Sequence, residues 1–211
     1  MTRPFHSCFA ILALASVALA PVAARAQARA PAIIPADLPA QEREMLVLAH
    51  DFARRCADAL EKWIASKEVT EEKLFSSLYY PMPKTDPPKY TTDWDRLSDR
   101  DILPIEESIL ARSPTILFTV MVDKFGYLPT HNQRYSLPLT GNAAADLVNN
   151  RTKRIFNDRT GLAAAKSQAP FLIQRYQRDT GETLVDLSVP LFVRGAHWGA
   201  VRIGYRPLDA R

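Results

Sequence analysis

The densest group of residues that could bind a charged molecule is the stretch NNRTKRIFND, residues 149–158. Three cations, Arg151, Lys153 and Arg154, stand here beside the aromatic side chain of Phe156. An arginine guanidinium donates paired hydrogen bonds that match a carboxylate or a phosphate, and an aromatic ring supplies a wall for a small ligand. The segment therefore predicts a site for a small carboxylate or another anion.

The same basic segment allows a simpler interpretation. It could begin a helix whose cations face solvent, because charged side chains are mostly exposed. Nearby acidic residues could pair with these cations: Asp146, Asp158 and Glu182. Sequence alone leaves both interpretations open.

Two histidines, His131 and His197, are candidate ligands for a metal or a haem iron. Imidazole suits both if the two side chains reach one cavity. No C-x-x-C-H motif accompanies them, and no close spacing of His, Cys and carboxylate residues does either. We therefore favour a structural hydrogen bond at each turn and expect no cofactor.

Sequence motifs of common enzymes are absent from the chain. It has no G-x-S-x-G, P-loop or H-E-x-x-H pattern. Cys56 has apolar neighbours on one helical face, which indicates a buried thiol and not a nucleophile. We expect a protein that is not an enzyme.

The first 26 residues predict a cleaved signal peptide. Arg3 precedes an apolar run at residues 8–20, and A-x-A cleavage sites follow near Ala26 or Ala28. The run is short for a membrane span, which favours cleavage over an anchor. We therefore expect a periplasmic protein.

The charge balance argues against a nucleic-acid partner. Arg3 and Arg25 lie in the predicted signal peptide, so the other cations among the 27 basic residues nearly balance the 23 acidic ones. A nearly neutral protein has no electrostatic attraction for a polyanion.

A long helix and an antiparallel sheet must position these residues. After a Pro- and Ala-rich lead-in at residues 27–36, Asp37 can cap a helix over about residues 37–66. Shorter helices are expected at about 70–78 and 102–111. Aromatic and β-branched runs with Gly-bearing turns predict about five strands over residues 114–206, with one hairpin turn at 179–181. The expected fold is a single α+β domain over residues 37–211.

Apolar residues at three- and four-residue steps define the buried face of the long helix. They are Met45, Leu48, Ala49, Phe52, Cys56, Ala59, Leu60 and Trp63.

Three motifs carry a resemblance to a known family: GYLPTHN, NRTKRIFND and HWGAVRIGY. With the rest of the chain from the long helix to Tyr205, they resemble the extracytoplasmic Cache (PAS-like) sensor domains of bacterial methyl-accepting chemotaxis proteins. The resemblance implies a long N-terminal helix packed on the sheet and a small-molecule pocket over one sheet face. It also implies five ligand-binding residues: Tyr135, Arg151, Arg154, Tyr176 and Asp186.

A chemoreceptor continues from its sensor domain into a second membrane helix, a HAMP linker and a signalling coiled coil, whereas this sequence ends at Arg211. We therefore expect a periplasmic sensory module that acts through a partner such as a membrane receptor or a kinase. A homodimer formed through the long helix is a further expectation. The alternatives are a haem- or metal-binding periplasmic protein that uses His131 and His197, and an interaction module that binds no ligand.

Overall fold

A computed structural model describes residues 33–177 and 183–208. The predicted signal peptide and the expected turn at 179–181 lie outside these residues. The helices of the described part are α1 (Ala40–Ala65), α2 (Glu71–Leu74), α3 (Asp95–Leu97), α4 (Leu103–Leu110), α5 (Ala143–Asn149) and α6 (Arg159–Lys166). Its strands are β1 (Tyr80–Pro81), β2 (Tyr90–Thr91), β3 (Ile116–Asp123), β4 (Tyr127–Leu128), β5 (Arg154–Ile155), β6 (Leu172–Gln177), β7 (Thr183–Val193) and β8 (Ala196–Tyr205).

The long helix α1 begins at Ala40, three residues later than predicted. Pro39 occupies the N-cap position, and no side chain caps the helix there, so the expected cap by Asp37 is wrong. A residue that precedes proline is disfavoured in the helical conformation. The helix therefore cannot extend back through Leu38 to Asp37.

The predicted apolar face of α1 packs on β7 and β8. Seven of its eight predicted residues are buried, and Ala59 is partly buried against the same core. Fully burying a side chain such as Phe52 or Leu60 contributes about 1.5–3 kcal/mol each. Packing of this face therefore holds the helix on the sheet.

The shorter helices differ in extent from the prediction. α2 ends at Leu74, where the chain turns and the Ser76 hydroxyl accepts a hydrogen bond from the Leu78 amide (3.1 Å). The second helical stretch starts earlier than expected, at Asp95, because a π-helical turn over Ser98–Ile102 joins α3 to α4.

The main sheet is antiparallel and has four strands in the order β3-β8-β7-β6. One of the five predicted strands, β4, does not join the main sheet. It pairs with β5 in a separate two-stranded sheet. β4 is separated from the main sheet by the turn after β3. In this turn, the Asp123 carboxylate accepts hydrogen bonds from the backbone amides of Phe125 and Tyr127 (2.9 Å each). These bonds turn the chain away from the sheet edge.

Side chains close the outer edge of β3. The amide of Thr119 donates to Asn132 Oδ1 (2.8 Å), and the amide of Met121 donates to Glu106 Oε1 (3.0 Å). An open sheet edge otherwise attracts other strands. The bond from Thr119 also pins the loop that carries the neighbouring His131 against the sheet.

The predicted α+β class is confirmed, and the arrangement is compatible with a single PAS-like domain. Within the described residues, no helix combines the length and the apolar character that crossing a bilayer requires.

Candidate functional site

The sheet face opposite α1 carries the candidate site. Strand pairing places Gln174, Asp186, Gly204 and Phe118 side by side in one row, and Arg202 lies two residues from Gly204 on the same face. Helix α6 covers a neighbouring part of this face, where Ala165 packs on Val120, Val122 and Ala200. We call the following residues the arginine site: Phe118, His131, Tyr135, Arg151, Arg154, Phe156 and Arg202.

Backbone hydrogen bonds bring the basic segment to this face. The amide of Arg151 donates to the carbonyl of Tyr135 (2.7 Å), and the amide of Lys153 donates to the carbonyl of Leu128 (2.8 Å). The segment therefore runs along residues 126–137, and its last part forms β5. The alternative interpretation of a helix start is wrong, because α5 ends at Asn149, before the cations.

The three cations of the segment separate into two groups. The Lys153 ammonium forms an ion pair with Asp99 (3.0 Å) and donates a hydrogen bond to the carbonyl of Pro129 (2.6 Å). Its charge is therefore paired within the fold. Arg151 and Arg154 instead lie over one ring: their Cζ atoms are 5.2 and 5.0 Å from the centroid of Phe156. The aromatic wall expected from the sequence thus stands under both guanidinium groups.

Arg154 is a half-buried cation that lies beside a second cation, Arg151. Its Nη1 donates to the carbonyl of Leu147 (3.3 Å). In the part of the chain that the structure describes, no acidic side chain forms an ion pair with it; burial and then the charge of Arg151 lower its pKa. Two neighbouring cations on one ring favour an anion between them.

Lys89 anchors the loop that carries Arg151. Its ammonium is buried and donates to the carbonyls of Asn150 (3.2 Å) and Thr152 (2.5 Å). Burial, followed by the charges of Arg154 and Lys153, lowers the pKa of Lys89 to about 8. No sequence pattern indicated this role, because Lys89 lies in the Pro-rich loop 81–90.

Arg202 and Asp186 form a buried ion pair at the floor of the site. Arg202 is 7% exposed and Asp186 0%, and the guanidinium Nε and Nη2 atoms lie 3.2 and 2.5 Å from Asp186 Oδ2. Burial opposes the charge of Arg202, but the attraction of Asp186 outweighs it and raises the pKa of Arg202. Asp186 therefore positions Arg202, and its own carboxylate is enclosed.

Arg202 was not predicted from the sequence. The available signal was one charged residue inside the otherwise apolar run of β8, on the face opposite the long helix. Its guanidinium lies 6.0 Å from the ring centroid of Phe118. That ring packs flat on Gly204, where an added Cβ would come within 2.1 Å of it.

His131 lies among these cations. Its ring centroid is 6.3 Å from that of Phe118 and 4.8 Å from that of Tyr135. Burial, and then positive charge from four guanidinium groups, lowers the pKa of His131 to about 3, so the imidazole is neutral. These groups belong to Arg151, Arg202, Arg134 and Arg154. Its Nδ1 atom is buried and has no hydrogen-bond partner in the described residues.

Four of the five residues that the resemblance implied lie at accessible positions around this face. Tyr135, Arg151, Arg154 and Tyr176 are partly exposed, and Tyr176 follows Gln174 by two residues along β6. The fifth, Asp186, lies beneath them.

The second histidine occupies a different place. His197 packs on Phe192 at the β7–β8 hairpin, with ring centroids 5.5 Å apart, and burial lowers its pKa. Across residues 33–177 and 183–208, no group of three or more His, Cys, Asp and Glu side chains is arranged to hold a metal ion.

Comparisons with known proteins give little further information. No family model matches the chain, and no curated protein matches it. Among solved structures, it is similar to an extracellular ligand binding receptor from Desulfohalobium retbaense DSM5692, with 13% identity and a TM-score of 0.36. The match covers 81% of this chain and 26% of that receptor, so the chain spans about a quarter of its length. The function is therefore inferred from the site itself.

Proposed function

We propose that this chain is a ligand-binding sensory module of the Cache type that binds a small anionic molecule at the arginine site. The observation that carries the proposal is the pair of guanidinium groups over Phe156, where Arg154 has no acidic partner in the described residues. The contacting residues of the proposal are Tyr135, Arg151, Arg154 and Tyr176, and Asp186 holds Arg202 beneath them.

An anion would relieve the charge imbalance of this site. Asp186 already neutralises Arg202, whereas no acidic side chain in the described residues pairs with Arg154. Hydrogen bonds between a guanidinium and a carboxylate are about twice as strong as those between neutral groups. Partial burial of both arginines strengthens this attraction, because water screens the charges less there.

Export to the periplasm and a signalling partner are parts of the same proposal. They are supported by the N-terminal sequence and by the resemblance to chemoreceptor sensor domains. The partner would be a membrane receptor or a kinase. Since the apolar face of α1 packs on the sheet, a homodimer through α1 would use its outer face, where Arg54 pairs with Asp51 (2.6 Å) and Asp58 (3.3 Å).

Calorimetric titration of the purified full chain tests the proposal. Organic acids, phosphate and sulfate are titrated into the native protein, into Arg154→Gln and into the control Arg112→Gln, which removes an exposed arginine outside the site. A hydrogen bond to a charged group contributes about 1.5–3 kcal/mol, so Arg154→Gln should weaken anion binding about ten- to a hundredfold. Arg112→Gln should bind as the native protein does.

Two results would contradict the proposal. One is the absence of binding for every anion tested. The other is an equal loss of affinity in Arg154→Gln and Arg112→Gln, which would reflect overall charge and not a site.

A further inference from the structure

An uncharged aliphatic surface lies on α5 and the loop before it. Eleven large apolar side chains are exposed in the described residues, and four of them fall within residues 137–148. We call these four the aliphatic patch: Leu137 (48% exposed), Leu139 (42%), Leu147 (45%) and Val148 (57%). Single exposed apolar residues are normal on a protein, whereas contiguous exposed patches mark interaction sites.

Hydrogen bonds hold the two halves of the aliphatic patch together. The amide of Leu137 donates to the carbonyl of Asn149 (3.1 Å), and the side-chain amide of Asn150 donates to the carbonyl of Leu137 (2.5 Å). The Asn142 side chain caps α5 by accepting a hydrogen bond from the amide of Ala145 (3.1 Å). The loop is therefore fixed alongside the helix, and association does not have to order it first.

The segment that carries the aliphatic patch has no charge at its surface. Between residues 137 and 149 the sequence has one ionisable residue, Asp146, in a chain of which 24% is charged. Asp146 is 4% exposed, and its carboxylate accepts hydrogen bonds from the amides of Thr140 (2.9 Å) and Gly141 (3.0 Å) and from the Thr140 hydroxyl (2.8 Å). Depletion of charged residues distinguishes the centre of a protein interface from the rest of the surface.

The lack of charge determines which partner fits the aliphatic patch. A charged protein surface would have to bury its charges against aliphatic side chains, which is unfavourable. Segments that bind lipid headgroups are rich in Lys and Arg, which residues 137–149 lack. A second copy of the chain presents the same uncharged surface. In a two-fold dimer a charged patch faces its own charge, and this patch has none to oppose.

We infer that the aliphatic patch is the contact between two copies of this chain, which form a two-fold homodimer through α5 and residues 137–140. This surface is distinct from the outer face of α1. A dimer through that face would take ion pairs such as Arg54 with Asp51 (2.6 Å) out of water, which costs free energy. The inference is independent of the proposed anion site.

Sedimentation velocity of the purified full chain tests the inference with one matched pair of variants. Val148→Lys introduces a charge into the aliphatic patch, and Val47→Lys introduces the same charge on the outer face of α1, where Val47 is 55% exposed. Both copies of a dimer carry the new charge, so Val148→Lys should weaken dimerisation at least about a hundredfold. Val47→Lys should dimerise as the native protein does. Circular dichroism and thermal unfolding check that both variants fold.

The salt dependence of native dimerisation is a second measurement that needs no variant. Salt screens the attraction between exposed charges, but it does not weaken contacts between apolar side chains. Dimerisation through the aliphatic patch should therefore be at least as tight in about 1 M sodium chloride as in about 0.1 M. Dimerisation that weakens with salt would assign the contact to charged residues and overturn the inference.

Three further results would overturn the inference. The first is a native protein that stays monomeric at every concentration up to about 1 mM. The second is a dimer that Val148→Lys leaves unchanged, or that only Val47→Lys weakens, since the contact would then lie elsewhere or on α1. The third is a native monomer that binds phosphatidylcholine vesicles and loses this binding in Val148→Lys, which would assign the aliphatic patch to a lipid surface.

Discussion

Replacing Asp186 by leucine removes the carboxylate that holds Arg202 and leaves a cation buried beside Phe118. Arg202 is 7% exposed, so water replaces little of the lost interaction. Breaking a buried pair in this way costs about 3–5 kcal/mol, because the remaining charge is desolvated and uncompensated. We expect the free energy of unfolding of Asp186→Leu to fall by that amount. At about 2–4 °C per kcal/mol, Tm should fall by about 6–20 °C.

Urea denaturation followed by circular dichroism measures this loss, and two further variants interpret it. The double variant Asp186→Leu with Arg202→Met replaces both charges by apolar groups and should recover stability to within about 1 kcal/mol of the native protein. Lys73→Met is the control. Its partner is Asp93, and the two side chains are 59% and 41% exposed, so its removal should cost about 0–1 kcal/mol.

The reasoning would be refuted if Asp186→Leu and Lys73→Met cost the same, since burial would then not determine the strength of the pair. It would also be refuted if the double variant were as unstable as Asp186→Leu. The loss would in that case come from packing and not from the unpaired charge.

Three further predictions follow from neighbouring contacts. Lys89→Met leaves the carbonyls of Asn150 and Thr152 without their hydrogen bonds from the ammonium, so the free energy of unfolding, measured by urea denaturation, should fall by about 1–3 kcal/mol. Amide hydrogen exchange at residues 150–152 should become faster. Unchanged exchange would contradict the role of Lys89 in anchoring this loop. Burial raises the pKa of Asp123 to about 6, above its unfolded value of 3.8, so the folded state binds the extra proton. Between pH 4 and pH 7, native stability should therefore fall by about 2 kcal/mol more than the stability of Asp123→Asn does, and equal trends in the two proteins would contradict the burial argument. Gly204→Ala places a Cβ against the ring of Phe118, so the free energy of unfolding, measured by thermal denaturation, should fall by about 1–3 kcal/mol. The double variant Gly204→Ala with Phe118→Leu removes the ring and should recover part of this loss.

The helix and the strands of the main sheet were predictable because their signal is local. Apolar residues at three- and four-residue steps identify the buried face of α1, and aromatic and β-branched runs between Gly-bearing turns identify β7 and β8. Chemical type alone also marked the basic segment beside Phe156 as a possible anion site. These properties depend on residues that are close neighbours along the chain.

Tertiary structure decided which of those residues meet. Arg202 and Asp186 are 16 residues apart and pair only because the β7–β8 register puts them on one face. His131 reaches the cations because the basic segment pairs with residues 126–137 and not with the main sheet. Residue types and periodicity determine an element and its buried face, but strand register and long-range packing determine its partners, and the arginine site consists of such partners.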